Sequence, residues 1–159
     1  MKRLICLILT IVGIAAVASA PATSTAASTE ATVTGIGAGS FPGGASFAGV
    51  NLSSFEIATG VITEADGSAG GVFHAVLAGR TLLGTARNIT LEGNVTQGTA
   101  TPDSSSFSGL ASLDLGDGVP AISGVPFNVE TQGGSMVLTI QSTVLPSAAF
   151  SDGGVDIGQ

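Results

Sequence analysis

Short runs in which apolar and polar residues alternate make up most of the chain from residue 33 onward. The clearest runs cover residues 89–95, 107–115 and 125–129. A period of two places every second side chain on the same face of a β-strand, so each run predicts a strand with one apolar face. Glycine-rich breaks such as Asp-Gly and Gly-Gly separate the runs, and they supply the positive φ that hairpin turns need.

The number and spacing of these runs predict an all-β domain of roughly eight to ten strands. No convincing helical stretch separates the strands, so they are expected to pair antiparallel. A single antiparallel β-sandwich and a closed barrel both fit this pattern. Residues 72–77 are apolar on both faces, which predicts a central strand that is covered on both sides.

The apolar positions of the alternating runs define the predicted core. Burial of each such side chain contributes about 1.5–3 kcal/mol, so a core of this size can hold one domain together without disulfides. The predicted core residues are Phe47, Phe55, Ile57, Phe73, Leu77, Ile89, Leu91, Val95, Phe107, Leu113, Phe127, Val129, Leu138 and Ile140.

The N-terminus has the pattern of an export signal. Lys2 and Arg3 precede an apolar run, and small residues follow at the positions that signal peptidase requires. We therefore predict a signal peptide over residues 1–18, with cleavage between residues 18 and 22. An uncleaved anchor is the alternative, although the apolar run is at the short limit of a spanning helix.

Residues 19–32 consist almost entirely of Ala, Ser, Thr and Pro, which predicts a flexible linker before an all-β domain over residues 33–159. Cys6 lies inside the apolar run of the signal, so the mature chain is predicted to contain no cysteine and no disulfide. We expect the protein to be secreted, to the periplasm, the cell surface or the extracellular medium.

Charge narrows the possible partners. The chain carries 4 basic and 11 acidic residues, a formal charge of −7. Removing Lys2 and Arg3 with the signal leaves two arginines against eleven carboxylates, a formal charge of −9. Such a chain has no basic face for nucleic acid, and its overall charge repels anionic surfaces. After signal cleavage, no further apolar run is long enough to span a membrane.

The glycine-rich segment over residues 35–39 does not complete the spacing of a dinucleotide-binding loop and opens no helix. It predicts a flexible entry into the first strands. No lysine remains for a nucleotide-binding loop after signal cleavage, so nucleotide binding is not expected.

His74 is the single histidine, and it shares a predicted strand face with Val72 and Val76. It is the obvious candidate for a general base, but proton transfer needs a partner within hydrogen-bond reach, and the sequence does not identify one. A structural strand histidine is therefore the preferred interpretation, and no catalytic residue is predicted. A hydrolase would require His74 in a cleft beside a carboxylate.

Calcium is the one metal that the sequence brings into consideration. Asp114 with Asp117, and Asp152 with Asp156, place paired carboxylates in glycine-rich segments whose carbonyls could complete an oxygen shell. Asp-Gly is equally the usual dipeptide of a hairpin turn, so turn formation is the competing interpretation. No other cofactor is expected.

Three functions remain open at this point. The leading hypothesis is an exported, non-enzymatic β-domain with a structural or surface-interaction role, whose partner is a protein or an extracellular matrix or polysaccharide. The second is a module that binds a small molecule or a polysaccharide, with calcium as a possible aid. The third is a hydrolase that uses His74. A filled interior would argue against a small molecule in a barrel mouth.

Overall fold

Ten β-strands make up the part of the chain that the computed structural model describes, residues 30–159. No helix occurs within these residues, so the predicted all-β class and strand number are confirmed. The strands are β1 (Ala31–Ser40), β2 (Ser46–Phe47), β3 (Val50–Thr63), β4 (Ser68–Thr81), β5 (Ala86–Thr101), β6 (Ser104–Asp114), β7 (Ile122–Gln132), β8 (Ser135–Ile140), β9 (Thr143–Val144) and β10 (Ala148–Gly158).

The predicted signal peptide over residues 1–18 lies outside the described residues, as does most of the predicted linker over residues 19–32. β1 begins at Ala31, within the last two positions assigned to that linker. Within residues 30–159 we find no helix that is long and apolar enough to cross a membrane.

The hydrogen bonding between strands closes into a ring. From β3 to β8, each long strand pairs antiparallel with the next, β8 pairs with β10, β10 pairs with β1, and β1 returns to β3. The two short strands lie off this path, with β2 paired to β3 and β9 paired to β8. The sheet is thus barrel-like, with one enclosed side and one outer side.

The joints of the ring differ greatly in length. The ladder between β3 and β4 runs from Val50 opposite Thr81 to Thr63 opposite Ala69. By contrast, β8 and β10 pair only where Met136 lies opposite Ala148 and Ser135 lies opposite Ala149. We call this short joint the β8–β10 seam.

The enclosed side of the ring is the hydrophobic core. Every residue of the predicted core is buried there except Phe47, which is half-buried. Phe47 belongs to the two-residue strand β2, which has a neighbouring strand on one side only and therefore receives less cover.

Phenylalanine rings fill the middle of the core. Phe73 stacks on Phe127 at a centroid distance of 5.5 Å and meets Phe107 edge to face at 5.7 Å. The backbone of Gly93 borders the same space, and a β-carbon added to it would lie only 2.5 Å from Cε1 of Phe127. The missing side chain of Gly93 therefore makes room for the Phe127 ring, and the interior is packed with side chains rather than open.

The segment over residues 35–39 lies within β1 and pairs with β3 and β10, with one register shift against β10 between Ala38 and Gly39, so the predicted flexible entry is wrong. Gly37 and Gly39 face the interior, where their missing side chains accommodate the rings of Phe150 and Phe55. These glycines provide close packing between distant parts of the chain, which is why they occur in a well-paired strand.

The prediction that residues 72–77 are covered on both faces is also wrong. Phe73 and Leu77 are buried, but Val72 on the other face is 60% exposed and the side chain of His74 is 45% exposed. A closed ring encloses only one side of each strand. No described element covers the outer side of β4, so its apolar residues there meet solvent.

Candidate functional site

A shallow groove runs over the outer side of β4, β5 and β6. Strand register places His74 opposite Glu92, and Glu92 opposite Ser112, so the three side chains form one row. The groove has a volume of about 580 Å³. Its lining includes Val72, His74, Glu92, Asn94, Leu110 and Ser112.

His74 and Glu92 are the two titratable residues that the structure brings together in this groove. Nδ1 of His74 and Oε1 of Glu92 are 3.9 Å apart, which is longer than a hydrogen bond. Their side chains are 45% and 71% exposed, so water screens the interaction. The sequence alone does not identify Glu92 as the neighbour of His74, because the pairing depends on the register of two long strands.

The row has the wrong order for nucleophilic catalysis by a serine. Glu92 lies between His74 and Ser112, so the serine and the histidine are separated by two strand spacings, about 10 Å. His74 therefore cannot take a proton directly from Ser112 in this arrangement. What the groove offers is an open surface with hydrogen-bonding side chains beside the apolar Val72 and Leu110.

Asp114 and Asp117 lie at the end of β6 and in the loop that follows. Oδ1 of Asp114 accepts a hydrogen bond of 2.8 Å from the amide of Gly116, and Oδ1 of Asp117 accepts one of 3.0 Å from the amide of Val119. Each carboxylate thus stabilises its own turn in the way that Asx-turns do. This geometry accounts for both residues as parts of the loop, while calcium binding by them remains a prediction.

Asp152 and Asp156 are both exposed positions of β10. Asp152 lies opposite Ala38 and accepts a 3.0 Å hydrogen bond from the amide of Gly153, while Asp156 lies opposite Thr34. Throughout residues 30–159, no three side chains of His, Cys, Asp or Glu are grouped so that they could hold a metal ion. Calcium at this pair is likewise an untested prediction.

The turn between β4 and β5 carries two leucines that are almost fully exposed to solvent. Leu82 is 86% exposed and Leu83 is 94% exposed, the highest values among the large apolar residues of the described chain. The turn is well formed, because the amide of Gly84 donates to the carbonyl of Thr81 at 2.9 Å. Nη1 of Arg80 donates to the carbonyl of Gly84 at 2.9 Å, which holds that guanidinium at the base of the turn.

Other exposed apolar residues lie at the same end of the ring. Successive turns of an antiparallel meander alternate between its two ends, so the connections after β4, β6 and β8 lie together. Val119 and Ile122, which are 62% and 49% exposed, follow β6, and Val144, which is 65% exposed, follows β8. We call this end, with Leu82 and Leu83 at its most exposed turn, the leucine end.

The opposite end carries acidic turns. Glu64 and Asp66 lie between β3 and β4, Asp103 lies between β5 and β6, and Glu30 precedes β1. We call this the acidic end. Ser68 donates to Asp66 through its hydroxyl at 2.7 Å and through its amide at 2.9 Å, and these hydrogen bonds lower the pKa of the Asp66 carboxyl.

Hydrogen-bonded hydroxyl groups close the interior at the acidic end. Ser105 and Thr131 are buried and share a 2.8 Å hydrogen bond. Thr63 is also buried and donates to the carbonyl of Ala31 at 3.3 Å. These buried polar groups all have partners, as stability requires.

Sequence patterning did not single out the Leu82–Leu83 turn. The available signal was two adjacent large apolar residues in a break between strands, where most other breaks are built around Gly, Pro and Asp. The two leucines belong to an apolar end only because the closed ring brings Val119, Ile122 and Val144 to the same end. These residues are distant from the leucines in sequence.

Comparison of the chain with protein-family models, with curated proteins and with solved structures gave no match.

Proposed function

We propose that this protein is an exported, non-enzymatic β-domain that acts by binding through its outer surface. The observation that supports the proposal most strongly is the filled interior, with Phe55, Phe73 and Phe107 each about 1% exposed. A ring that is packed in this way leaves its outer side and its turns for contact with other molecules.

The exposed chemistry fits a binding role better than a catalytic one. The His74–Glu92 pair is open to solvent, and the 3.9 Å separation of Nδ1 and Oε1 gives no direct hydrogen bond. Catalytic acids and bases generally work in sites that exclude water and strengthen their interactions. The exposed apolar residues of the leucine end, in contrast, are of the kind that mark interaction surfaces.

The groove beside His74 favours a second candidate, a polysaccharide-binding module. Its volume of about 580 Å³ and the row of His74, Glu92 and Asn94 side chains beside Leu110 provide hydrogen-bonding groups next to an apolar surface. A sugar chain presents hydroxyl groups and apolar ring faces in similar proximity. A ligand held inside the ring has no comparable support.

The test compares surface binding with turnover for the purified chain. The protein is produced in a host that exports it, and its mass reports whether the leader has been removed. Retention is measured on insoluble polysaccharides and on phospholipid vesicles, and hydrolysis is measured with chromogenic esters and glycosides. Three proteins are compared, namely the unchanged chain, His74→Ala and Glu92→Gln.

We expect retention on at least one of these surfaces and no hydrolysis above the background that both variants give. Hydrolysis that His74→Ala and Glu92→Gln both abolish would replace this proposal with the hydrolase hypothesis. Polysaccharide retention that the two variants lose would select the second candidate. Absence of retention on every surface would overturn the binding role.

A further inference from the structure

The side of β10 that faces away from β1 is a free strand edge over most of its length. β10 pairs with β1 as far as Gly158, but it pairs with β8 only at Ala148 and Ala149. Within residues 30–159, no other strand pairs with β10 beyond that point. We call the free side from Ser151 to Gly158 the β10 edge. Its outward N–H and C=O groups lack strand partners, and unpaired groups of this kind can accept a further strand.

A cleft with an apolar floor lies beside the β10 edge. Phe150, Val155 and Ile157 line this cleft, and each is half-buried where its side chain packs against the hydrophobic core. Val155 lies opposite Gly35 and Ile157 lies opposite the fully buried Val33, so both point to the inner side of the ring. They stay partly exposed because no described strand covers them on the side away from β1. An added strand would place every second side chain on this floor.

The turns that border the cleft favour a single strand as its occupant. Pro102 and Asp103 contribute from the β5–β6 turn, and Gly133 and Gly134 contribute from the β7–β8 turn. The cleft has a volume of about 290 Å³. One extended segment can enter between these turns and β10. A second whole copy would also bring its own β1, one strand spacing of about 4.8 Å behind its β10, against the same turns.

The charge of the cleft also argues against a second copy. Asp103 and Asp156 line the cleft, and Asp152 is exposed further along β10. None of the described residues that line the cleft is basic, and both arginines of the described chain flank the Leu82–Leu83 turn. Charged side chains on an edge oppose pairing with an identical strand. Lysine or arginine side chains on a neighbouring strand would complement these carboxylates.

We propose that the β10 edge binds an extended segment of a partner protein as an additional strand. Backbone hydrogen bonds to β10 hold the segment, and its apolar side chains pack on the half-buried floor of the cleft. Its alternate side chains are basic and face Asp152 and Asp156. The segment is about eight residues long, as is the β10 edge. The inference rests on the proposed function, because it names a site and a class of partner for an exported domain that binds through its outer surface.

Binding of synthetic peptides tests the proposal. The probe is an octapeptide in which lysine and valine alternate, and fluorescence anisotropy measures its affinity for the purified exported chain in EDTA, so that calcium plays no part. The control peptide has the same composition, with its lysines and valines in two separate blocks. Two further peptides carry N-methyl groups on the lysine amides or on the valine amides. Each of these can donate hydrogen bonds from one side of the strand only.

We expect the alternating peptide to bind about tenfold or more tightly than the block peptide, because only the alternating peptide presents all its valines to the cleft. One of the two N-methylated peptides should lose binding, since one side of an added strand must donate to β10. Equal affinity of the alternating and block peptides would overturn the proposal, because general attraction between opposite charges would then explain both. Unimpaired binding of both N-methylated peptides would overturn it too.

The contribution of charge is tested by Asp156→Lys. This variant should bind the alternating peptide about fivefold more weakly, because an attractive neighbour becomes a repulsive one. The matched control is Glu56→Lys, which makes the same change in net charge at an exposed position of β3. β3 lies three strand spacings from an added strand, about 14 Å, which exceeds the screening length of about 10 Å at 0.1 M salt. Equal losses in two folded variants would assign the attraction to overall charge and overturn the proposal.

Amide hydrogen exchange locates the bound peptide. The alternating peptide should slow exchange between Ser151 and Gly158 and leave β4 and β5 beside His74 unchanged. Protection confined to the groove beside His74 would move the site there and overturn the proposal. Amides of the β10 edge that are protected before any peptide is added would show that another part of the chain or a second copy already occupies the edge, with the same result.

The same samples separate this inference from the broader proposal. No peptide binding at about 1 mM, together with retention of the unchanged chain on a polysaccharide, would refute strand addition and leave the surface-binding role intact. No peptide binding together with no retention on any surface would reject both proposals.

Discussion

At the acidic end of the ring, the turn after β3 carries Glu64 and Asp66, whereas at the leucine end the turn after β4 carries Leu82 and Leu83. Both turns connect long, well-paired strands, and both are exposed. A hairpin needs residues that permit the turn, and it gains no folding energy from a leucine that remains in water. The polar turns are thus explained by the fold, but the leucines require another reason, and contact with a partner provides one.

The interiors near the two ends also differ. Buried hydroxyl groups of Ser105, Thr131 and Thr63 close the acidic end through hydrogen bonds. The polar groups of this end need no partner molecule, because they either face water or form hydrogen bonds within the chain. The leucine end leaves apolar surface without cover from any described residue. One end of this ring thus completes the fold within the molecule, while the other is available for contact.

The largest effect should come from the interior that both ends share. Gly93→Val inserts a side chain where even a β-carbon would lie 2.5 Å from Phe127. Overpacking of this kind costs about 1–3 kcal/mol or more, and we expect it to appear as a lower free energy of unfolding in urea. The matched control is Gly60→Val, since Gly60 has open space around its missing side chain. Equal destabilisation of both variants would contradict the packing described for Gly93.

The next largest effect should come from the acidic end. Ser105→Ala removes one partner of a buried pair and leaves the Thr131 hydroxyl without it, which should cost about 1–3 kcal/mol of unfolding free energy. Ser105→Ala/Thr131→Val removes both hydroxyl groups and should recover part of that loss. If the single and double variants unfold alike, the hydrogen bond does not close this end as described.

Changing the leucine end should leave stability almost untouched. Leu82→Ser/Leu83→Ser alters side chains that are 86% and 94% exposed, so the free energy of unfolding should change by no more than about 0.5 kcal/mol. A clear drop in the urea midpoint would show that the leucines support the fold, and the contrast between the two ends would then fail.

The smallest effect concerns acid and Asp66. Because Ser68 donates to its carboxylate, the pKa of Asp66 in the folded chain lies below the ordinary value of 3.8. The charged carboxylate therefore stabilises the fold above that value, and the contribution disappears as the pH falls through the lowered pKa. Thermal unfolding of the unchanged chain and Asp66→Asn should differ slightly near neutral pH and converge in strong acid. Curves that stay parallel at every pH would show that this carboxylate contributes nothing.

Much of the fold could be predicted from local patterning. Ile89, Leu91 and Val95 alternate with polar residues, and the strand and its buried face follow from that period. The glycines of β1 were harder to interpret, because Gly37 and Gly39 pack on Phe150 and Phe55. Those rings come from distant parts of the chain, so no local window contains both members of the contact.

The candidate sites were less predictable for a similar reason. Asp114 and Asp117 were visible in the sequence, and so was the competing turn interpretation that their hydrogen bonds now support. The pairing of His74 with Glu92 and the grouping of turns at the leucine end depend on register and ring closure. Those properties arise from the whole sheet, and single residues do not reveal them.

The β8–β10 seam has a consequence for how the molecule fluctuates. A ring whose strands are fully paired has no free strand edge, so it gives a second chain no unpaired backbone to join. Two opposed residue pairs form the seam, and most of β10 beyond them pairs with β1 alone. Opening the seam would extend that free edge along the whole of β10 and would also uncover the first residues of β8. Amides next to the seam should therefore exchange with deuterium before those of β4, which has long ladders on both sides. Association of this protein under mild heating would then begin at Met136 and Ala148, where the ring first becomes a sheet with ends.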